Sequence, residues 1–224
     1  MSFVSVAIDG PAGAGKSTIA RQIAGQLGYL YVDTGAIYRT VGLYALRKGV
    51  DPHSKGEVVS LLDGLQVRMK VEADGIQHMY LDGEDVTNQI REPEISRYAS
   101  AVSALPPVRA FLLEMQRELA ETQNVVMDGR DIGTVVLPHA TVKIFLTASP
   151  EVRAMRRWKE LQQRGICDRY EDVLRDVIQR DYDDSHREIA PLRQAEDAVL
   201  ADTSDLNLEE SVALLLNIVK ERQG

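Results

Sequence analysis

The feature that most constrains this chain is a glycine-rich octapeptide near its start. Residues 10–17 read Gly-Pro-Ala-Gly-Ala-Gly-Lys-Ser and match the pattern G-x-x-x-x-G-K-[ST] at every fixed position. The short apolar segment 4–8 before it predicts a buried strand, and Ile19, Ile23 and Leu27 after it recur at helical spacing. A glycine-rich turn between a strand and a helix can surround a phosphate with backbone N–H groups. The octapeptide therefore predicts a site for the phosphates of a nucleotide.

Two side chains at the end of this octapeptide have predicted chemical roles. Lys16 is expected to reach the β- and γ-phosphates of a bound nucleotide, and the Ser17 hydroxyl to coordinate Mg²⁺. Ser17 is thus the predicted metal ligand, and Mg²⁺ bound with ATP is the predicted cofactor. The predicted ATP-binding residues are Gly10, Pro11, Ala12, Gly13, Ala14, Gly15, Lys16, Ser17 and Thr18.

The order of apolar segments predicts an α/β domain with a parallel sheet. Further strands are predicted at residues 29–32, 125–128, 142–147 and 198–201. Two alternating runs, 67–71 and 76–81, flank Asp74-Gly75 and predict an inserted antiparallel hairpin. Helices are predicted at 16–27, 36–47, 93–103, 107–121 and 170–184, and after the caps Ser54 (with Glu57), Ser149 (with Pro150) and Asn207 (with Glu210).

The chain length and charge exclude several classes of protein. At 224 residues the chain suits one domain with a modest insertion. Its 26 Lys and Arg residues against 34 Asp and Glu residues give a formal net charge of −8, which argues against a protein that coats nucleic acid. No apolar run approaches the roughly 20 residues that cross a bilayer, no signal peptide is visible, and a lone cysteine, Cys167, leaves no internal disulfide. We therefore expect a cytoplasmic protein with no membrane or nucleic-acid partner, and the absence of heptad repeats or a large apolar patch favours a monomer.

A phosphate loop identifies the phosphate donor site but leaves the reaction open. A regulatory GTPase would need an Asn-Lys-x-Asp segment to recognise guanine, and the chain has no Asn-Lys pair. A mechanical or DNA-remodelling ATPase would need a partner surface that the acidic balance does not favour. Three classes remain: a nucleotide kinase, a phosphate-loop kinase for another small metabolite, and a non-catalytic nucleotide-binding protein.

Three polar segments could hold an anionic phosphate acceptor. Residues 33–39 and 128–134 each follow a predicted strand, so both are expected at the edge of the parallel sheet where the phosphate loop lies. Arg39 could clamp a phosphate with its guanidinium fork. The spacing of Arg180, Asp184 and Arg187 predicts that all three share one helix face.

These segments resemble those of the bacterial cytidylate kinases. The likeness extends over about residues 3–220, and its most specific parts are Asp33-Thr34-Gly35-Ala36-Ile37-Tyr38-Arg39, Asp82-Gly83-Glu84-Asp85-Val86-Thr87 and Asp128-Gly129-Arg130-Asp131-Ile132-Gly133-Thr134-Val135-Val136. The resemblance implies an enzyme that transfers the γ-phosphoryl group of ATP to CMP or dCMP. It also implies a phosphate-loop kinase fold with a five-stranded parallel sheet flanked by helices, a small antiparallel sheet inserted in the monophosphate-binding region, and a short helical lid.

The same resemblance implies boundaries within a single kinase domain of residues 1–224. The core is expected at about 1–35, 105–150 and 166–224, the monophosphate-binding region with its insertion at about 36–104, and the lid at about 153–165. It further implies substrate-binding residues: Ser100, Arg109 and Asp131 for cytosine, Thr34, Arg39, Arg130 and Arg187 for the acceptor phosphate, and Arg180 and Asp184 for the sugar.

Phosphoryl transfer requires mainly positioning and charge stabilisation, so cationic side chains are the expected catalytic groups. The predicted catalytic residues are Lys16, Arg130, Arg153 and Arg157, and Arg156 is a further candidate for the lid. Asp131 is the predicted specificity residue, because a carboxylate accepts from the amino group of cytosine but faces a carbonyl oxygen in uracil. We expect CMP to be preferred to UMP.

Overall fold

The computed structural model describes residues 3–72 and 76–223. The strands are β1 (Ser5–Asp9), β2 (Leu30–Asp33), β3 (Val67–Val71), β4 (Gln77–Leu81), β5 (Glu84–Asp85), β6 (Val125–Gly129), β7 (Val142–Thr147) and β8 (Val199–Asp202). The α-helices are α1 (Lys16–Leu27), α2 (Thr34–Arg47), α3 (Lys55–Leu62), α4 (Pro93–Ser103), α5 (Pro106–Thr122), α6 (Pro150–Gln163), α7 (Tyr170–Ser185) and α8 (Leu208–Gln223). The turn predicted at Asp74-Gly75 lies outside the described residues.

The chain divides into two compact units. The first comprises the described residues up to Tyr31 and those from Ala120 onward, and the second is Val32–Leu119. A five-stranded parallel sheet has the order β2-β6-β1-β7-β8. The non-sequential order requires crossover connections, as expected for α/β alternation, and confirms the predicted fold class.

The first unit has its core around the central strands β1, β6 and β7. Ile8 and Ile144 are fully or almost fully buried, and they cluster with Ile23 of α1 and Leu215 of α8. Helices therefore cover these apolar strands, which is the usual condition for a parallel sheet. The register pairs Asp9 with Gly129, so the phosphate loop and the segment after β6 leave the sheet at the same edge.

The second unit packs α2, α4 and α5 with the inserted three-stranded sheet. That sheet is antiparallel in the order β3-β4-β5, and Met79 and Leu81 of β4 are buried with Ile37 of α2. Gly42 permits α2 and α4 to approach closely, since a Cβ at this position would lie 2.9 Å from the backbone nitrogen of Ala99. The predicted hairpin insertion is confirmed, while β5 was not predicted.

Two of the three predicted helix caps form. Ser149 accepts from the backbone N–H of Val152, and Asn207 and Glu210 each accept from the other's backbone N–H. The predicted capping box at Ser54 is wrong, because the Ser54 side chain stands at the start of α3 without a capping hydrogen bond. The first turn of α3 is exposed, so water can satisfy its N–H groups.

Within the described part of the chain, no helix is both long and apolar enough to span a membrane.

Candidate active site

The phosphate loop connects β1 to α1 through a backbone that requires glycine. At Gly10, φ is +153° and a Cβ would lie 1.9 Å from the carbonyl oxygen of Leu146, so no other residue fits without moving β7. Gly13 and Gly15 also have positive φ, at +75° and +88°. Gly15 is the N-cap of α1 and has no side chain, so the first N–H groups of the helix can point at an anion.

Lys16 is the first residue of α1 and is almost completely buried. Its Nζ donates to the carbonyl oxygen of Pro11 at 2.8 Å. Burial, aided by the positive charge of Arg130, lowers the pKa of Lys16 to about 7. The carboxylates that oppose this shift in the pKa are those of Asp128, Asp184 and Asp9. A phosphate beside Nζ would favour the charged form, so the side chain suits a nucleotide phosphate.

Asp128, at the end of β6, accepts hydrogen bonds from two side-chain hydroxyls. Ser17 Oγ donates to its Oδ2 and the Tyr31 hydroxyl to its Oδ1, each at 2.9 Å. A hydroxyl of the phosphate loop and a carboxylate at the end of a neighbouring strand are the oxygen donors that hold Mg²⁺ in this class of site. No group of three or more His, Cys, Asp or Glu side chains in the described ranges could hold a metal ion by itself. The donors therefore fit an ion that is bound partly by phosphate oxygens.

Asp9, the last residue of β1, anchors the segment that follows β6. Its two carboxylate oxygens accept from the backbone N–H groups of Ile132 and Gly133, both at 2.7 Å. Residues Ile132–Val136 form one π-helical turn directly after Asp131. Burial, reinforced by the charge of Asp131, raises the pKa of Asp9 to about 6, although the two N–H donors and Lys16 oppose this. Asp9 thus fixes the backbone next to the predicted specificity residue, a role that the sequence analysis missed.

Arg130 pairs with Asp184 inside the first unit. Arg130 Nε donates to Asp184 Oδ2 at 2.8 Å, and the Asp184 side chain is only 7% exposed. Burial raises the pKa of Asp184, but Arg130, Arg187 and Arg180 together lower it below its ordinary value. The structure therefore brings four of the nine predicted substrate-binding residues together, namely Arg130, Arg180, Asp184 and Arg187.

The predicted helix face of Arg180, Asp184 and Arg187 is only partly correct. Helix α7 ends at Ser185 with His186 as its C-cap, so Arg187 lies beyond the helix. Arg187 still contacts the same cluster, because its Nε donates to the backbone carbonyl oxygen of Asp184 at 3.3 Å. The prediction from helical spacing was wrong for Arg187, because this residue follows the end of the helix.

The three arginines of the predicted lid have different environments. Arg153 is 3% exposed, and its guanidinium donates to the carbonyl oxygens of Ala148 and Ala12 and pairs with Asp181 at 2.5 Å. Its contact with Ala12 joins α6 to the phosphate loop. Arg156 and Arg157 differ from it: Arg156 donates to the carbonyl oxygens of Ala14 and Thr203, whereas Arg157 is 35% exposed and pairs with Glu160.

In the second unit, Asp33 and Arg39 form an ion pair at the start of α2. Asp33 Oδ1 accepts from the Ala36 N–H at 2.9 Å and caps the helix, while Oδ2 pairs with Arg39 Nη2 at 2.7 Å. Gly35 leaves room for this pair, since a Cβ there would lie 3.0 Å from Arg39 Nη1. Thr34, the first residue of α2, is buried.

Ser100 and Arg109 also lie in the second unit, on α4 and α5. Arg109 is buried, donates from Nη1 to the carbonyl oxygen of Ser103, and lies 5.5 Å from the ring centre of Tyr38. Ser100 is half-buried, one turn before Ser103. Arg109 therefore contacts both the end of α4 and the ring of Tyr38 on α2. The contact with Tyr38 was not predicted from the sequence.

Comparison of the sequence with known proteins shows the family to which this chain belongs. The sequence profile described as Cytidylate kinase matches residues 6–221. The cytidylate kinase of Caldicellulosiruptor bescii is 50% identical over 218 residues, covering 97% of this chain and 96% of that protein. The cytidylate kinase of Lactobacillus johnsonii is 49% identical over 221 residues, covering 99% and 96% of the two chains.

A solved structure shares the fold at low sequence identity. It is an uncharacterized protein from Eubacterium ventriosum, superimposed with a TM-score of 0.55 at 9% identity over 97% of this chain and 98% of the other. That likeness concerns the fold alone. The sequence profile and the relatives at about half identity decide the family, and this chain belongs to the cytidylate kinases.

Proposed function

We propose that this chain transfers the γ-phosphoryl group of ATP to CMP or dCMP, giving CDP or dCDP and ADP. The observation that carries the proposal is the cluster of the phosphate-loop residue Lys16 with Arg130 and Asp184, in a chain of the cytidylate kinase family. The product would serve pyrimidine nucleotide metabolism.

The chemical problem is repulsion between two anions, because donor and acceptor are both phosphates. The acceptor oxygen is already anionic, so no strong general base is needed. Lys16 and Arg130 supply positive charge that is held in place by the protein and therefore needs no reorganisation during the reaction. We assign Lys16, Arg130, Arg153 and Arg157 as the catalytic residues and residues 10–18 as the ATP site.

The proposed cofactor is Mg²⁺ bound with ATP. Ser17 would hold the ion, and Asp128, already hydrogen-bonded to Ser17, would orient that hydroxyl and add negative charge. The ion would neutralise charge on the β- and γ-phosphate oxygens. Replacing Ser17 with Ala should raise the Mg²⁺ concentration that gives half of the maximal rate, which a titration with Mg²⁺ at fixed ATP would measure.

We propose nine CMP-binding residues with three kinds of contact. Asp131, Arg109 and Ser100 would recognise cytosine, and Arg180 and Asp184 the sugar. Arg130 and Arg187 would contact the acceptor phosphate, together with Thr34 and Arg39. The ion pairs of Arg130 with Asp184 and of Arg39 with Asp33 support this, because each holds a guanidinium in a fixed orientation for a phosphate.

We further propose a single kinase domain in which residues of about 153–165 form the lid. Arg157 is the arginine best suited to approach the transferred phosphoryl group, since it is partly exposed and has only one paired carboxylate among the described ion pairs. Arg153 would act from the base of the lid, through its contact with Ala12. We also propose that the enzyme works as a cytoplasmic monomer that binds no nucleic acid, which sedimentation and cell fractionation would test.

An acceptor panel tests the proposed function. Release of ADP from ATP would be followed with CMP, dCMP, UMP, AMP, GMP and shikimate in turn. A cytidylate kinase should turn over CMP and dCMP fastest. Preference for shikimate would identify a metabolite kinase, and binding of ATP without turnover of any acceptor would identify a non-catalytic nucleotide-binding protein.

A further inference from the structure

Gln77 is a polar side chain at an apolar position of the inserted sheet. Along β4 the inward positions are Gln77, Met79 and Leu81, all buried, and the outward positions are His78 and Tyr80. An inward position of such a strand normally carries an apolar side chain. A buried amide costs stability unless its donor and acceptor are both used, so the partners of Gln77 indicate what it does.

Both ends of the Gln77 amide bind the backbone of one residue, Asp33. Its Oε1 accepts from the Asp33 N–H at 2.7 Å, and its Nε2 donates to the Asp33 carbonyl oxygen at 3.2 Å. The two residues are 44 positions apart in sequence. The inserted hairpin therefore fixes the peptide groups on both sides of Asp33, where β2 ends and α2 begins.

The carboxylate of Asp33 in turn holds Arg39. Asp33 caps α2 with one oxygen and pairs with Arg39 Nη2 through the other, at 2.7 Å. Among residues 3–72 and 76–223, the buried Nε of Arg39 has no hydrogen-bond partner. The ion pair thus uses one donor of the guanidinium, Nη2, and leaves other donors for an anion.

We propose that Gln77 is a positioning residue for the acceptor phosphate, acting on Arg39 through Asp33. This inference rests on the proposed function, in which Arg39 contacts the phosphate of CMP. It assigns the inserted hairpin a role in binding the acceptor: Gln77 sets the backbone of Asp33, and the Asp33 carboxylate sets the direction of the guanidinium. Gln77 itself does not contact the substrate.

The test is the Gln77→Leu substitution, with Tyr80→Phe as its matched control. Tyr80 lies on the same strand but faces outward, where its hydroxyl donates to Glu72. Gln77→Leu should raise the KM for CMP by about tenfold, while the KM for ATP and kcat change less than about twofold. Tyr80→Phe should leave all three constants unchanged. An unchanged KM for CMP in Gln77→Leu, or an equal loss for ATP, would overturn the proposal.

Two further measurements separate positioning from general damage to the fold. Calorimetry should show that Gln77→Leu weakens binding of CMP but not of cytidine, which lacks the phosphate. In an Arg39→Ala background, Gln77→Leu should add less than about twofold to the loss, because residues that act through one another are not additive. Equal losses for CMP and cytidine, or fully additive losses, would contradict a role through Arg39.

A second variant covers the case in which Gln77→Leu does not fold. Gln77→Met removes both hydrogen bonds to Asp33 but keeps an unbranched apolar side chain of similar length, so it should fold and show a rise in the KM for CMP. An unaltered KM in this variant would overturn the proposal. Wild-type protein that forms no CDP would refute the proposed function instead, and the comparison of CMP with cytidine binding would still decide the role of Gln77.

Discussion

Arg130 Nε donates to Asp184 Oδ2 over 2.8 Å, and this pair joins the segment after β6 to the end of α7. Because Asp184 is buried, its charge compensates an arginine that is itself only 21% exposed. Removing one partner would leave the other charge partly buried and uncompensated, which costs stability as well as orientation. Asp184 therefore has a structural as well as a substrate-binding role, so a substitution there is not expected to be silent in folding.

The first prediction concerns Asp184→Asn. This change keeps the shape of the side chain and removes its charge. We expect kcat/KM for CMP to fall by more than about tenfold, or about 1.4 kcal/mol, with a smaller loss for dCMP if the contact is to the 2′-hydroxyl. Asp183→Asn, on the exposed side of the same helix, is the matched control. Unaltered kinetics of Asp184→Asn on both substrates would exclude Asp184 from the site.

The second prediction concerns the proton on Lys16. Its pKa of about 7 in the folded protein lies below the ordinary value of 10.5, mainly because of burial. Between these two pH values the unfolded chain binds more protons than the folded one, so this group makes the free energy of unfolding rise with pH from about 7 upward. Bound phosphate should raise the pKa of Lys16 again.

ATP binding at pH 8 should therefore take up a proton. Calorimetry in buffers of different ionisation enthalpy measures this uptake directly. We expect part of one proton per ATP in the wild-type protein and much less in Lys16→Gln. The same proton uptake in both proteins would show that Lys16 does not titrate on binding.

The third prediction concerns Asp131 and the choice of base. Asp131 is buried, so a base without the amino group would leave its carboxylate facing an acceptor, at a cost of about 1–3 kcal/mol. We expect wild-type protein to prefer CMP to UMP and Asp131→Asn to reduce that preference, as measured by the ratio of kcat/KM values. Asp205→Asn, an exposed substitution, is the control. Equal rates with CMP and UMP in the wild-type protein would refute the assignment.

The fourth prediction separates two arginines of α6. Arg157→Gln should lower kcat without lowering Tm, because Arg157 is partly exposed and pairs only with Glu160 among the described ion pairs. Arg153→Gln should lower Tm and weaken ATP binding, because it removes buried bonds to Ala148, Ala12 and Asp181. Arg164→Gln is the control, since Arg164 also pairs with Glu160. Normal kcat in Arg157→Gln would remove Arg157 from the catalytic residues.

The sequence predicted local features well and long-range pairings poorly. The phosphate loop was predictable because glycine, lysine and serine at fixed spacing determine a backbone turn and a helix start. The pairing of Arg130 with Asp184 spans 54 positions, and that of Gln77 with Asp33 spans 44. Contacts at such separations produce no periodic pattern in the sequence, so neither pairing could be predicted from spacing. Arg187 shows the limit of helical spacing, because the end of α7 decides whether the spacing still applies.

The most direct test of phosphoryl transfer is to follow ATP and CMP with the purified enzyme and Mg²⁺ by phosphorus NMR. We predict that the γ-phosphate signal of ATP is replaced by the β-phosphate signal of CDP, with ADP and CDP formed in equal amounts, and that Lys16→Gln shows neither. Formation of ADP with inorganic phosphate and no CDP, or no consumption of ATP in the presence of CMP, would contradict the assignment of this chain as an ATP-dependent CMP kinase.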